Sequence, residues 1–388
     1  MRAILSILLA IVSLILIPVC VVMILLIIQA QADHSRFFGF GVLALFISCV
    51  LWFQHLTLDV RRSGWWTVLF VLVTGGLFGW SYVSSPTGAS SEASAMFEST
   101  YVGNESYPRW HPANLIAEPD QLNVVSQLVS LGGLNLDKTG GKQTRQLIKE
   151  NYQALRRQAP EMVNFGSQLH TCYDQWFGKP AKPDQLYVYR PAAIRKGAQP
   201  VLLLLHGKTG SLKAALWSLR HAADELGMAI VAPNFGLGRW EHQQEAGFEV
   251  VKAAVAFCAK DPALQASSIT LVGYGAGGKG VSYAMTQARE KFRGVVYIGA
   301  QLDRKDAFDL LGDKASAGSR PPVLVIQGGQ ETKARIDEID FVTNELQRFG
   351  APMTLKRADD EGPLLLFSHP KSVSKKVVDW VRSNGRGA

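Results

Sequence analysis

Residues 269–278 decide the fold class, because an aliphatic run changes there into a glycine-rich turn. The sequence of this segment is Ile-Thr-Leu-Val-Gly-Tyr-Gly-Ala-Gly-Gly. A short continuous apolar run is typical of a strand that is buried on both faces. The residues from 278 to 292 then continue with helical spacing. The segment therefore predicts a buried parallel strand, a tight turn and a helix that packs back against the strand.

The same alternation of strand and helix continues on both sides of this segment. Apolar runs predict further strands at 185–189, 201–205, 228–232, 295–298, 323–326 and 353–355, and helical spacing predicts helices at 212–226, 248–259, 336–349 and 372–383. Strands that alternate with helices of this length form a mostly parallel sheet covered by helices on both faces. The predicted fold class is therefore α/β.

Three landmarks within residues 184–388 resemble the α/β-hydrolase superfamily. Residues 202–207, Leu-Leu-Leu-Leu-His-Gly, resemble the strand after which this family supplies an oxyanion-hole amide. Residues 269–278 resemble the strand that leads into the nucleophile elbow, and residues 322–331 the late strand whose following loop bears the catalytic acid. The similarity is greatest to the dienelactone-hydrolase and prolyl-peptidase-like branches. The resemblance implies an α/β-hydrolase fold.

The elbow departs from the family pattern at its central residue. The family motif is G-x-S-x-G, with the serine on a strained turn, whereas residues 273–277 read Gly-Tyr-Gly-Ala-Gly. Gly275 relieves the strain of that turn but has no atom that can attack a substrate. Ser282 and Cys258 are not placed as a nucleophile would need to be. Ordinary serine-hydrolase chemistry is therefore not expected.

The other catalytic residues that the resemblance implies are only partly present. Glu331 aligns with the family acid, although a glutamate is also favourable near a helix N-terminus because of the helix dipole. Asp303 is a second candidate for the acid. The histidine is expected after the last strand, where residues 359–363 are mainly acidic. The nearest histidine is His369, which we name with Glu331 as the candidate catalytic pair.

Main-chain amides at two turns are predicted to form an oxyanion or ligand-binding region. The residues concerned are Gly207, Lys208 and Ala276. His206 lies in the first of these turns and is interpreted as a structural residue rather than a base.

The same glycines also match a second template. Gly273, Gly275 and Gly278 fit the G-x-G-x-x-G fingerprint of dinucleotide-binding domains, with Lys279 available for a phosphate. The fingerprint usually opens such a domain, whereas here it follows several strand–helix units. We keep dinucleotide or phosphate binding as a minor alternative and predict no cofactor and no metal.

The first 84 residues predict a membrane anchor. Apolar runs at 4–28, 37–56 and 65–83 are each about as long as the roughly 20 residues that span a bilayer. Arg2, Arg61 and Arg62 would lie on one side of three spans. Positively charged loops are normally cytoplasmic, so we expect the C-terminal domain to be extracytoplasmic.

The charge distribution argues against nucleic-acid binding, and the cysteine content leaves two states open. The net charge of +8 is spread among alternating acids and bases, without a basic block interleaved with aromatic residues, so no nucleic-acid partner is expected. Cys172 and Cys258 either form a disulfide or remain as two buried thiols.

The domain boundaries and function follow from these features. The predicted parts are a three-helix anchor (1–84), a linker and lid-like accessory segment (85–183), and the hydrolase-like domain (184–388). One hypothesis is a catalytically silent fold at the cell membrane that binds a small molecule or a protein. The alternative is an active ester or peptide hydrolase with a non-standard nucleophile or water.

Overall fold

The computed structural model describes residues 2–58, 61–88, 97–102, 106–131, 138–159, 162, 165–179, 182, 185–191, 197–208, 212–311 and 320–384. The chain divides into two compact units. Unit 1 contains Met1–Gly88 and Pro108–Lys149, and unit 2 contains Ala89–Tyr107 and Glu150–Ala388. Parts of the predicted accessory segment, residues 85–183, belong to each of these units.

Unit 1 is helical. Its helices are α1 (Arg2–Gln29), α2 (Asp33–Leu58), α3 (Arg61–Ser84), α4 (Pro112–Leu115) and α5 (Glu118–Leu131), and α6 (Lys138–Gln158) continues into unit 2. Glycines allow the long helices to approach closely. A Cβ atom on Gly39 would lie 2.8 Å from Ile27, and one on Gly41 would lie 3.0 Å from Phe78.

Two of the described helices are long and apolar enough to cross a membrane. They are Asp33–Leu56, with mean hydropathy 2.0, and Arg62–Ser84, with mean hydropathy 1.5. Within α1, residues Leu16–Gln29 form a shorter apolar helix, so the first of the three spans stays a prediction.

The segment after α3 packs against the helix ends within unit 1. Both carboxylate oxygens of buried Asp120 accept backbone N–H groups at the α1–α2 turn, from Gln31 at 2.9 Å and Ala32 at 3.2 Å. The Ser81 hydroxyl donates to the carbonyl of Leu115 at 3.2 Å. A buried polar group is costly unless it is hydrogen-bonded, so these contacts fix α5 in place.

Unit 2 is an eight-stranded sheet flanked by helices. The strands are β1 (Phe97–Tyr101), β2 (Gln185–Tyr189), β3 (Gln199–Leu205), β4 (Ala229–Pro233), β5 (Leu264–Tyr274), β6 (Phe292–Ile298), β7 (Val323–Gly328) and β8 (Met353–Ala358). The helices are α7 (Leu169–Trp176), α8 (Leu212–Leu226), α9 (Gln244–Lys260), α10 (Gly277–Ala288), α11 (Arg304–Leu311), α12 (Lys333–Arg348), α13 (Leu365–Ser368) and α14 (Pro370–Asn384), with a 3-10 turn at Arg289–Lys291.

The strand order is β1-β2-β4-β3-β5-β6-β7-β8. The β1–β2 and β2–β4 pairs are antiparallel and all the other pairs are parallel. The predicted α/β-hydrolase fold, with its mostly parallel sheet, is therefore confirmed. The candidate residues follow the carboxyl ends of β3, β5, β6, β7 and β8, where open α/β sheets bind their ligands.

Each central strand contributes to the core on both faces of the sheet. In β3, Leu203 and Leu205 face one cluster of apolar side chains, while Leu202 and Leu204 face the other. This period of two explains the continuous aliphatic sequence of the strand. Part of the accessory segment belongs to this core, since Leu155, Met162 and Phe165 pack in the second cluster.

The two cysteines of unit 2 are both buried, and they are thiols rather than a disulfide. Cys258 belongs to the core cluster on one face of the sheet, where burial raises its pKa to about 12. Of the two states considered from the sequence, the structure shows the buried thiols.

We predict that Asp120→Ala lowers the stability of the full-length chain in detergent by about 1–3 kcal/mol, because two buried N–H groups lose their acceptor. Asp33→Ala is the matched control. Asp33 lies near the same turn, but its side chain is 77% exposed and pairs only with Arg36 at 3.3 Å, so its loss should cost under about 1 kcal/mol. Thermal unfolding checks both variants, and equal losses would contradict the role given to Asp120.

Candidate functional site

The turn between β5 and α10 has the geometry of a nucleophile elbow. Gly275 adopts φ +54°, in the left-handed region that favours glycine. Its N–H donates to the Ile298 carbonyl at 3.1 Å, and its carbonyl accepts from the N–H groups of Gly278 and Gln301, both at 3.2 Å. The turn is therefore fixed from both sides, and Gly275 lies at its tip.

The glycines on either side of the tip have a packing role. A Cβ atom on Gly277 would lie 2.0 Å from the Leu205 carbonyl oxygen, and one on Gly273 would lie 2.8 Å from the Cα of Gly278. The conditions at Gly275 are different, because among the described residues its Cβ would meet only the Cα of Gly207, at 3.6 Å. A side chain therefore has room at Gly275 and none at Gly277.

His206 ends β3 as a fully buried, neutral side chain. Its Nε2 accepts the N–H of Phe235 at 3.0 Å, so the proton lies on Nδ1, which donates to the Gly207 carbonyl at 2.8 Å. Burial lowers its pKa to about 4. Because both nitrogens are used within the turn, His206 holds the β3 and β4 loops together and has no free nitrogen for a substrate.

The β3 turn lies directly beside the elbow. A Cβ on Gly207 would lie 3.2 Å from the Tyr274 ring, which places the two turns in contact. Ala276 is buried at the start of α10, whereas Lys208 is exposed. The structure therefore brings Gly207 and Ala276 together, with Lys208 at the edge of the same region.

Glu331 follows β7, as the alignment predicts, but its partners lie on its own segment. It accepts a hydrogen bond from Gln327 Nε2 at 2.8 Å and lies 3.5 Å from Arg335 Nη1. Burial raises its pKa, and Arg335 and Gln327 offset that effect only in part. Its charge in turn contributes, after burial, to the raised pKa of Tyr274, so Glu331 lies near the elbow.

His369 pairs with Glu361 and not with Glu331. Its Nδ1 contacts one carboxylate oxygen of Glu361, and Ser368 Oγ donates to the other at 2.7 Å. The His369 side chain is 60% exposed. The candidate pair named from the sequence is therefore divided in the structure, where each member has a different partner.

Glu361 is the residue that sequence reasoning missed. The sequence places it only in an acidic loop. In the structure, helix α13 reverses the direction of the chain, so that Ser368 contacts Glu361. The same helix places Phe367 edge-on to Tyr274, with ring centroids 5.1 Å apart. The loop after β8 thus reaches the residue that precedes the elbow tip.

A partly buried ion cluster holds α10 to the loop after β6. Lys279 Nζ donates to Asp303 at 2.5 Å and to Asp306 at 2.6 Å. Burial alone would lower the pKa of Lys279, but the two carboxylates outweigh it and raise that pKa. Burial by itself would raise the pKa of Asp303, but its hydrogen bonds with Lys279 outweigh burial, and the pKa is lowered. For Asp306 burial is the larger effect, and the pKa is raised. Lys279 is therefore engaged within the protein.

Comparison with solved structures finds similarity at low sequence identity. A hyperthermophilic esterase from the archaeon Pyrobaculum calidifontis is 17% identical, with TM-score 0.41, over 52% of this chain and 84% of its own. The thermostable carboxylesterase EstE1, cloned from a metagenomic library, is 17% identical, with TM-score 0.43, over 52% and 84%. The Francisella virulence factor BioJ is 15% identical, with TM-score 0.42, over 51% and 81%. No family model and no curated protein matches the chain.

We predict opposite tolerance at two neighbouring glycines. Gly277→Ala should cost about 3 kcal/mol of stability, because its Cβ meets a backbone oxygen that cannot easily move. Gly275→Ala should lower stability by about 1–2 kcal/mol, because alanine must adopt the left-handed conformation there but its Cβ meets no clash. Thermal unfolding of the full chain compares the two, and an inverted order would contradict the geometry of the turn.

We also predict that Lys279→Met lowers the free energy of unfolding by about 3–5 kcal/mol at neutral pH, because the buried Asp306 carboxylate loses its ion-pair partner. Since the pKa of Asp306 is already raised, this carboxyl becomes neutral as the pH falls, and the deficit should shrink toward pH 5. Lys305→Met, at an exposed neighbour, is the control. Unfolding measured from pH 5 to pH 8 tests this, and a deficit that does not vary with pH would contradict it.

Proposed function

We propose that this protein, which has an α/β-hydrolase fold, is anchored in the cell membrane and lacks serine-hydrolase chemistry. In this proposal it binds a small molecule or a protein at the carboxyl edge of its sheet. The observation that carries the proposal is Gly275. It occupies the elbow tip at φ +54°, and in the part of the chain that the structure describes only the Cα of Gly207 lies within 4 Å of the position of a Cβ atom. The backbone forms the turn on which this fold normally presents a nucleophile, but the residue at its tip has no atom that can attack a substrate.

The pairing of the other candidate residues supports the same conclusion. A base must lie within hydrogen-bond reach of the group that it activates. His369 contacts Glu361, while Glu331 contacts Gln327 and Arg335. Ser282, the serine on the elbow helix, bonds to the Gly278 carbonyl and to Tyr297 within the core, which gives it no path to a substrate.

The dinucleotide or phosphate alternative receives less support. Lys279, the phosphate-binding residue of the dinucleotide hypothesis, is paired with Asp303 and Asp306. Gly273, Gly277 and Gly278 each have a packing reason to be glycine. Affiliation with the dienelactone-hydrolase or prolyl-peptidase-like branch stays a prediction from the sequence motifs.

Membrane anchoring is supported by the exposure of the apolar helices. Only 22% of the residues in the span of α2 and 17% in that of α3 are buried. The core helix of a water-soluble protein would instead be mostly buried. Leu72 and Val83, for example, are 68% and 72% exposed. We propose several spans, with Arg61 and Arg62 on the cytoplasmic side and the sheet domain outside the cytoplasm.

We predict that the full-length protein in detergent forms no adduct with a fluorophosphonate probe, because no serine is activated at the elbow. Intact-mass analysis checks the absence of the added phosphonyl group. An adduct that maps to one serine would overturn the proposal and would identify the nucleophile of the alternative hydrolase.

Substitution at the acid position separates the two hypotheses further. A hydrolase that activates water through Glu331 should lose its turnover of short p-nitrophenyl esters in Glu331→Gln. Under our proposal the wild-type protein and this variant both remain at the rate of the buffer alone. Glu361→Gln is the matched control, because it tests the carboxylate that does contact His369.

A further inference from the structure

Two neighbouring aromatic side chains at the end of α7 are almost fully exposed. Trp176 is 71% exposed and Phe177 is 83% exposed. Among the described residues after 88, the other large hydrophobic side chains classed as exposed are Trp110, Val125 and Phe349, at 66%, 38% and 42%. The end of α7 is therefore the most exposed apolar feature of unit 2 within the described part of the chain.

The rings are presented by a well-anchored helix end. Leu169 and Cys172 are buried on the inner side of α7, and the Gln175 side chain accepts the N–H of Leu237 at 2.7 Å. The chain then closes on itself, since Phe177 N–H donates to the Tyr173 carbonyl at 3.0 Å. The inner contacts fix the helix, so the exposure of Trp176 and Phe177 is a defined property of the fold.

The size and shape of this feature indicate what can cover it. The two rings expose about 300 Å² together, whereas a stable protein interface buries at least about 1,000 Å². A small-molecule site encloses most of its ligand in a concave surface, and side chains exposed to this extent do not line one. Insertion into the interfacial zone of a bilayer needs only a few aromatic rings, and tryptophan is enriched there.

Tethering favours the same partner. Exposed Lys179 and Lys182 follow the rings, Lys179 pairs with Asp174 at 2.8 Å, and Asp184 lies two residues beyond Lys182 in the sequence. The two lysines and two acids cancel in formal charge, so the rings themselves supply the affinity for a bilayer. The 12 residues 85–96 connect α3 to β1 and reach at most about 40 Å. In a chain anchored by α3, the start of β1 therefore stays within about 40 Å of the end of that helix.

We propose that Trp176 and Phe177 form a second membrane contact, in which both rings enter the interfacial zone of the bilayer. This inference rests on the membrane anchoring proposed above. The contact restrains the domain in addition to the tether, and it limits the directions from which a ligand can approach the sheet edge.

Site-specific photocrosslinking in the full-length chain tests this proposal. p-Benzoylphenylalanine replaces Phe177, and separately Phe349 and Leu72, in nanodiscs of phosphatidylcholine with phosphatidylglycerol. Phe349 is the matched control because it is an exposed phenylalanine of the same unit, and Leu72 reports on the α3 span because it is 68% exposed. Mass spectrometry identifies adducts after irradiation. We expect phospholipid adducts at positions 177 and 72 and none at 349.

Each other outcome overturns the inference in a different way. An adduct at 72 alone would leave the anchor intact and remove the second contact. The absence of adducts at both 72 and 177 would remove the anchor as well. A crosslink from position 177 to protein would replace the bilayer by a macromolecular partner, and lipid adducts at all three positions would show that the contact has no specificity.

Discussion

The close packing of α10 on β3 and β5 is the constraint on which the site depends. A helix can follow a buried strand this tightly only if the chain turns through a left-handed residue and no side chain separates the two elements. Gly275 supplies the turn, and Gly277 allows α10 to approach the Leu205 carbonyl. Once the turn is in place, its amide and carbonyl bind the ends of β6 and the following loop. The position of the elbow therefore fixes the neighbouring loops, whatever residue lies at its tip.

Around this turn the ionisable groups are paired for structure. Lys279 pairs with both Asp303 and Asp306, His206 is neutral and fully bonded, and His369 contacts Glu361. Perturbed pKa values often mark catalytic groups, but structural ion pairs perturb them too. Here the shifts of Lys279 and Asp303 follow from their mutual contact, and that of Glu331 from its burial between Gln327 and Arg335. The site has the electrostatics of a stable framework.

The sheet could be predicted from the sequence to a large extent, because its central strands are buried on both faces and read as aliphatic runs. The strand over residues 185–189 and the helix over 212–226 have the predicted bounds. Strand β1 was not predicted, since Phe-Glu-Ser-Thr-Tyr at an antiparallel edge has neither a long apolar run nor a clear alternation. The partner of His369 could not be predicted either. Its choice between Glu331 and Glu361 depends on how α13 folds back, which is a tertiary effect that no local pattern encodes.

The two compact units are interleaved along the chain. The polypeptide leaves the apolar helices, contributes β1 to the sheet, returns to unit 1 for residues 108–149, and only then supplies the rest of the sheet. Neither unit is therefore formed by one continuous segment of the chain. During synthesis β1 is made more than 80 residues before β2, the strand with which it pairs. The β1–β2 pair can therefore form only after residues 108–149, which belong to unit 1, have been synthesised.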